Sequence, residues 1–194
     1  ALPHYQKAAA SASDPAVAAD ARYQGAVLLT RDGKSDEAVK LLEPVRESAP
    51  AALAPRVLLL LGQSYLALKD SAKAAPLFQA VLTRYKDDPL AARAWLGLGR
   101  CQKADKKYDE AATTFTKATA LKDTQAAMEA QFELAETRRL QGDFRTAATE
   151  YLKVAILYTD AEWAARAQYA AGVCYEQAKA IEDAVKAYRV VVEK

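Results

Sequence analysis

Catalysis needs a nucleophile with its base, paired carboxylates or a metal-ligating cluster, and this sequence supplies little of any. Its single histidine, His4, lies near the start of 194 residues, so a Ser/Cys–His pair would have to be assembled at one end. The two cysteines, Cys101 and Cys174, are too few for a disulfide framework and lack the paired spacing of a zinc site. Adjacent acids at Asp87-Asp88 and Glu182-Asp183 fall at turns or helix starts, where carboxylates suit the positive end of a helix dipole. The expectation is a chain with no catalytic residue, no cofactor, no metal and no enzymatic activity. The side chains left to do chemistry are arginines and aromatics, whose chemistry is recognition.

The elements that must position them follow from composition. There are 45 alanines, 7 glycines, 7 prolines and no asparagine. Alanine is the best helix former, and the other three are the main turn residues, so the chain reads as all-helical. Charge is nearly balanced, 27 Lys and Arg against 25 Asp and Glu. A dedicated nucleic-acid or anionic-membrane binder normally carries an excess of one sign, so neither is expected. The longest apolar stretch, Val57 to Leu61, is far short of the ~20 residues of a membrane span.

A repeat organises the chain. Ala26/Ala38, Gly62/Ala74, Gly99/Ala111, Ala135/Ala147 and Gly172/Ala184 are pairs of small residues, each 12 apart. Four residues after each second member stands a bulky apolar residue: Leu42, Phe78, Phe115, Tyr151 and Tyr188. These recur every 36 or 37 residues. Each unit reads as two amphipathic helices joined at Asp32-Gly33, Lys69-Asp70, Asp105-Lys106 or Gln141-Gly142-Asp143. The small residues let helix axes approach to about 8–10 Å, and the bulky residue fills the gap to the next unit. Cys101 and Cys174 occupy one repeat position two units apart, too far for a disulfide, and read as buried packing residues.

These residues resemble the tetratricopeptide repeat, whose pattern is bulky, Leu, Gly/Ala and Tyr in a first helix, then Ala, Phe/Tyr and Ala in a second. Trp95, Leu98, Gly99, Ala111, Phe115 and Ala118 match it, as do Leu58, Leu61, Gly62, Tyr65, Ala74 and Phe78. The period exceeds the usual ~34 residues, with a longer turn between repeats similar to that of bacterial envelope members. The resemblance implies a right-handed α-solenoid of antiparallel helix pairs in one array. Its divisions are a half repeat and turn at 1–18 and repeats at 19–54, 55–91, 92–127, 128–164 and 165–194. Residues 1–8 align with 74–81, so the array is expected to be a fragment of a longer one. An envelope or periplasmic setting is implied, with the cytoplasm as the alternative.

Binding in this family, the resemblance implies, uses a concave groove lined by first helices. With the small residue of each unit eighth, the fifth position reads Tyr23, Leu59, Leu96, Phe132 and Tyr169, an apolar column on the side expected to face solvent, which either lines the groove or is half-buried by neighbouring first helices. Around it stand Arg56, Gln63, Arg93, Arg100, Lys103 and Arg139. The expected function is a protein-interaction scaffold taking a protein or peptide segment with apolar anchors and acidic flanks. Gly97, beside the column, either lets a partner backbone approach or marks tight packing against a neighbouring helix. Two other classes of function bear on these residues. The alternative is a self-associating structural solenoid of an envelope assembly, since open terminal faces could stack end to end; an RNA-reading helical repeat is disfavoured because it needs polar side chains where this column is apolar. The family's asparagine-dependent carboxylate clamp is excluded by composition.

Overall fold

The computed structural model describes residues 1–121 and 124–192, the side chain of Val192 excepted. Among the described residues all regular structure is helical. The chain divides into two compact units, Ala1–Cys101 and Gln102–Lys194. The first holds α1 (Leu2–Ser11), α2 (Pro15–Arg31), α3 (Ser35–Leu42), α4 (Ala54–Ala67), α5 (Ser71–Arg84) and most of α6 (Ala91–Ala104). The second holds the end of α6, then α7 (Tyr108–Thr119), α8 (Thr124–Leu140), α9 (Phe144–Leu157), α10 (Ala161–Gln177) and α11 (Ile181–Val192). Even-numbered helices from α2 are the first helices of the expected pairs, and odd-numbered ones the second. Within the first unit α1 packs on α2, α2 on α3, α3 on α4 and α4 on α5; within the second, each helix from α7 packs on the next.

One turn geometry joins every pair. Gly33, Lys69, Lys106, Gly142 and Lys179 all have φ between 58° and 81°. Each follows the last turn of a first helix, and the next residue's N–H reaches back five residues, as Asp70 to the Tyr65 carbonyl and Asp143 to that of Arg138. This is the left-handed closure that satisfies a helix's last carbonyls. The following residue starts the second helix, and Asp70 and Asp143 cap it by accepting from the Lys73 and Thr146 N–H groups.

The small-residue pairs do the expected packing. Ala26, Ala38, Ala74, Ala111, Ala135 and Ala147 are fully buried, as are Leu42, Phe78, Phe115 and Tyr151. Phe78 shows why the small positions must be small. A Cβ added at Gly62 would stand 2.9 Å from its ring, and one at Gly97, on the next first helix, 2.5 Å from it. Gly97 is therefore an internal packing position, with its open side filled by Phe78 rather than by a partner.

Some boundaries differ from expectation. α2, α8 and α10 begin at Pro15, Thr124 and Ala161, each four residues before the expected repeat boundary. Proline at the first helical position costs no hydrogen bond, and Asp14 and Asp160 cap α2 and α10, which fixes those early starts. α3 is short because Pro44 lacks an N–H, and the chain continues as a 3-10 turn over Glu43–Val45.

Two substitutions in the first unit check this packing. Gly97→Ala removes a poor helix former, yet is expected to destabilise by about 1–3 kcal/mol because the buried ring has no room to yield. Lys69→Gly is expected to stabilise by up to about 1 kcal/mol by relieving a side chain held at positive φ. Chemical-denaturation midpoints moving in the opposite directions would reject the packing and the turn assignment respectively.

Candidate functional site

The first-helix face of the first unit is largely polar. Arg56, Gln63 and Arg93 are exposed, while Arg100 and Tyr23 are half-buried. Leu59 and Leu96 are only 6% and 5% exposed, so the expected solvent-facing apolar column is not present here. Leu59 belongs to the hydrophobic core and α2 touches α4; the small residues that bring these helices together also close over the side chain between them.

A cavity of about 250 Å³ in the same unit is lined by Glu43, Arg46, Tyr65, Ala72, Lys73, Pro76 and Leu77. The Tyr65 hydroxyl donates to Glu43 at 2.6 Å. Burial, then the hydrogen bond and charge of Glu43, pushes its pKa up to about 12. Arg46 pairs with Glu43 and Glu47, and Lys73 with Asp70 while lying over the Tyr65 ring. The cavity's cations are thus already answered by acids of the chain itself.

The second unit keeps its aromatic positions accessible. Phe132, on α8, is half-buried with its ring edge-on to Tyr151 at 5.0 Å and to Trp163 at 5.2 Å. The guanidinium of Arg166 lies over both Phe132 and Trp163, 5.4 Å and 4.7 Å from the ring centroids. Tyr169, one turn further along α10, is 60% exposed and rests against Tyr188 at 5.7 Å. Of the expected cations here, Lys103 pairs with Glu133 and Arg139 with Glu136, the latter at 2.8 Å. Position in the repeat could have found Arg166, six residues before Gly172 as Arg56 precedes Gly62 and Arg93 precedes Gly99. Trp163 stands before the expected repeat boundary at 165, outside the groove positions counted from Gly172.

Beneath this face lies a polar network. Glu136 accepts from the Tyr151 hydroxyl and from Arg139. Burial alone would raise its pKa, but hydrogen bonds from Arg139 and Tyr151 and the charges of Arg139 and Lys103 outweigh it, and the net shift is downward. Tyr151 is held far above its ordinary value by burial, then by the bond and charge of Glu136. Burial likewise lifts the Cys174 thiol to about 11, Arg139 opposing and Glu136 adding to the effect. Cys101 and Cys174 are both buried. Among the described residues no cluster could hold a metal ion, and no helix is long and apolar enough to cross a membrane.

The sequence matches the tetratricopeptide-repeat family over residues 23–89, 59–126, 107–163 and 141–194. No curated protein sequence matches it. Among solved structures it is similar to MamA, at 20% identity and a TM-score of 0.70 over 87% of this chain and 92% of that one. It is also similar to the nearly identical TPR-like repeats of a Podosopora anserina putative kinesin light chain, at 17% identity and a TM-score of 0.74, covering 94% and 96% of the two chains. BtubC from P. vanneervenii aligns at 13% identity and a TM-score of 0.79 over 99% and 88%. Likeness at these identities concerns the fold.

Two measurements probe the network. The Cys174 thiol is expected to resist a disulfide reagent at neutral pH until the protein unfolds, because its thiolate is scarce and shielded; rapid reaction in the native state would contradict its placement. Glu136 has a depressed folded pKa, so its contribution to stability is present above the ordinary carboxylate value of 4.5 and is lost as pH falls through the folded value. Wild type should exceed Glu136→Gln in stability at pH 7, and denaturation curves should show the gap closing in acid. A gap that widens in acid would reverse the assignment.

Proposed function

We propose, because this chain belongs to the tetratricopeptide-repeat family, that it is a protein-interaction scaffold whose first-helix faces receive a segment of a partner protein. The reading gives the chain no reaction of its own. What supports it most is what the repeat leaves in solvent. The invariant positions are consumed by packing, whereas Arg56 and Arg93 in the first unit, and Arg166 and Tyr169 in the second, remain outward on first helices. Arginines donate two parallel hydrogen bonds to a carboxylate, and aromatics supply contact area at small entropic cost. The segment is accordingly acidic, with apolar residues among the acids, and the apolar contacts belong mainly to the second unit because Leu59 and Leu96 are spent in packing.

Cross-linking of the chain to a co-purified partner, followed by mapping of the linked peptides, tests the face. Links should concentrate in α2, α4 and α6 and in α8 and α10; links confined to α3, α5, α7 and α9 would place binding on the second helices. With that partner in hand, reversing Arg56 and Arg93 to Glu should lower affinity by about tenfold or more and flatten its salt dependence.

Self-association is the competing reading, favoured by Ile181 and Val185 of α11, which are 61% and 50% exposed. A sedimentation coefficient independent of concentration supports the scaffold reading, whereas one that rises and falls back on Val185→Glu supports self-association.

A further inference from the structure

Arg166 stands apart from the cations around it. In the second unit Lys103 and Arg139 are neutralised by Glu133 and Glu136, and Arg138 donates to Gln141. Arg166 is exposed, and among the described residues no acid pairs with it; its contacts are the faces of Phe132 and Trp163. Glu162 lies one helical turn earlier on α10 without forming an ion pair with it. Phe132 is itself fixed by Tyr151, and Tyr151 by Glu136, so the platform under Arg166 is anchored in the core.

An exposed arginine ordinarily loses side-chain freedom when it binds an anion. Contact with two rings removes part of that freedom beforehand and leaves the charge unsatisfied, the condition in which a cation recognises a carboxylate most effectively. Tyr169 lies three residues further along α10, about 4.5 Å up the axis and on the same side of the helix. It is 60% exposed and supported from behind by Tyr188. In an extended peptide, residues two apart point to the same side about 6–7 Å from each other. An acid over Arg166 therefore places the side chain two positions away over Tyr169.

We propose that Arg166, held on Phe132 and Trp163, is a carboxylate receptor for an Asp or Glu side chain of an extended partner segment, with Tyr169 taking an apolar residue two positions from that acid. The proposal rests on the scaffold reading and sharpens it to an acid-x-apolar motif read by α10.

The test uses the full chain and a random peptide library displayed on phage, with selected peptides then resynthesised and measured by titration calorimetry. Selection should enrich an acid followed or preceded two positions away by an aliphatic or aromatic residue. Arg166→Gln should weaken those peptides by about tenfold or more, and Arg166→Lys should recover only part of the loss, since a lysine lacks the planar fork. Replacing the peptide's acid by its amide should weaken binding to wild type equally and to Arg166→Gln hardly at all, the signature of direct contact in a double-substitution cycle. That peptide-side change needs no folding of any variant. Peptides that bind Arg166→Gln as tightly as wild type would overturn the receptor, leaving Arg166 a cover for its two rings and the scaffold reading intact. A library from which nothing is selected would overturn both.

Discussion

Phe78 on α5 and Tyr188 on α11 present a bulky ring to the backbone of first helices, and the packing depends on there being nothing in its way. Phe78 is the fullest case. Its ring lies 2.9 Å from where a Cβ at Gly62 would stand and 2.5 Å from where one at Gly97 would, and it has no exposed surface. Close approach of the backbones permits the burial, and burial of a whole aromatic ring stabilises by about 2–3 kcal/mol. Leu42, Phe115 and Tyr151 recur at the same place and are equally buried. At Tyr151 the ring brings a hydroxyl into the interior, and Glu136 answers it. The polar network beneath the second unit's face is thus a consequence of the packing rule, because a buried phenol requires an acceptor.

The same constraint decides which side chains remain for recognition. Bringing first helices together closes over Leu59, whereas Phe132, larger and edge-on to Tyr151 and Trp163, stays half-exposed and carries Arg166 on its surface. The first unit consequently offers charge and the second offers aromatic area together with charge. Exposed ion pairs contribute little to stability, so the unmatched position of Arg166 costs the fold almost nothing.

Much of this was legible in the sequence because it is written in spacing. The twelve-residue separation of small residues and the 36- or 37-residue recurrence located the buried pairs. The turn residues located four of the five positions with positive φ, Gly33, Lys69, Lys106 and Gly142, but not Lys179, whose flanking alanines carry no turn signal. Burial at the fifth repeat position was one of two readings open in the sequence, and which residues it would take, Leu59 and Leu96 but not Tyr169, was not legible, since it depends on how far apart two first helices lie rather than on either residue. The early start of α10 was missed because Asp160 reads equally well as a turn residue and as a helix cap, and Trp163 went with it. The break in α3 follows from Pro44, which lacks an N–H and which the repeat spacing does not register.

The central claim is that the ring of a second helix holds two successive first helices at once. Amide hydrogen exchange of Phe78→Leu against wild type, resolved by helix, measures this directly. Loss of the ring should accelerate exchange in α4 around Gly62 and in α6 around Gly97 together, because both pack on the same side chain. Acceleration confined to α5, with α4 and α6 unchanged, would contradict the account.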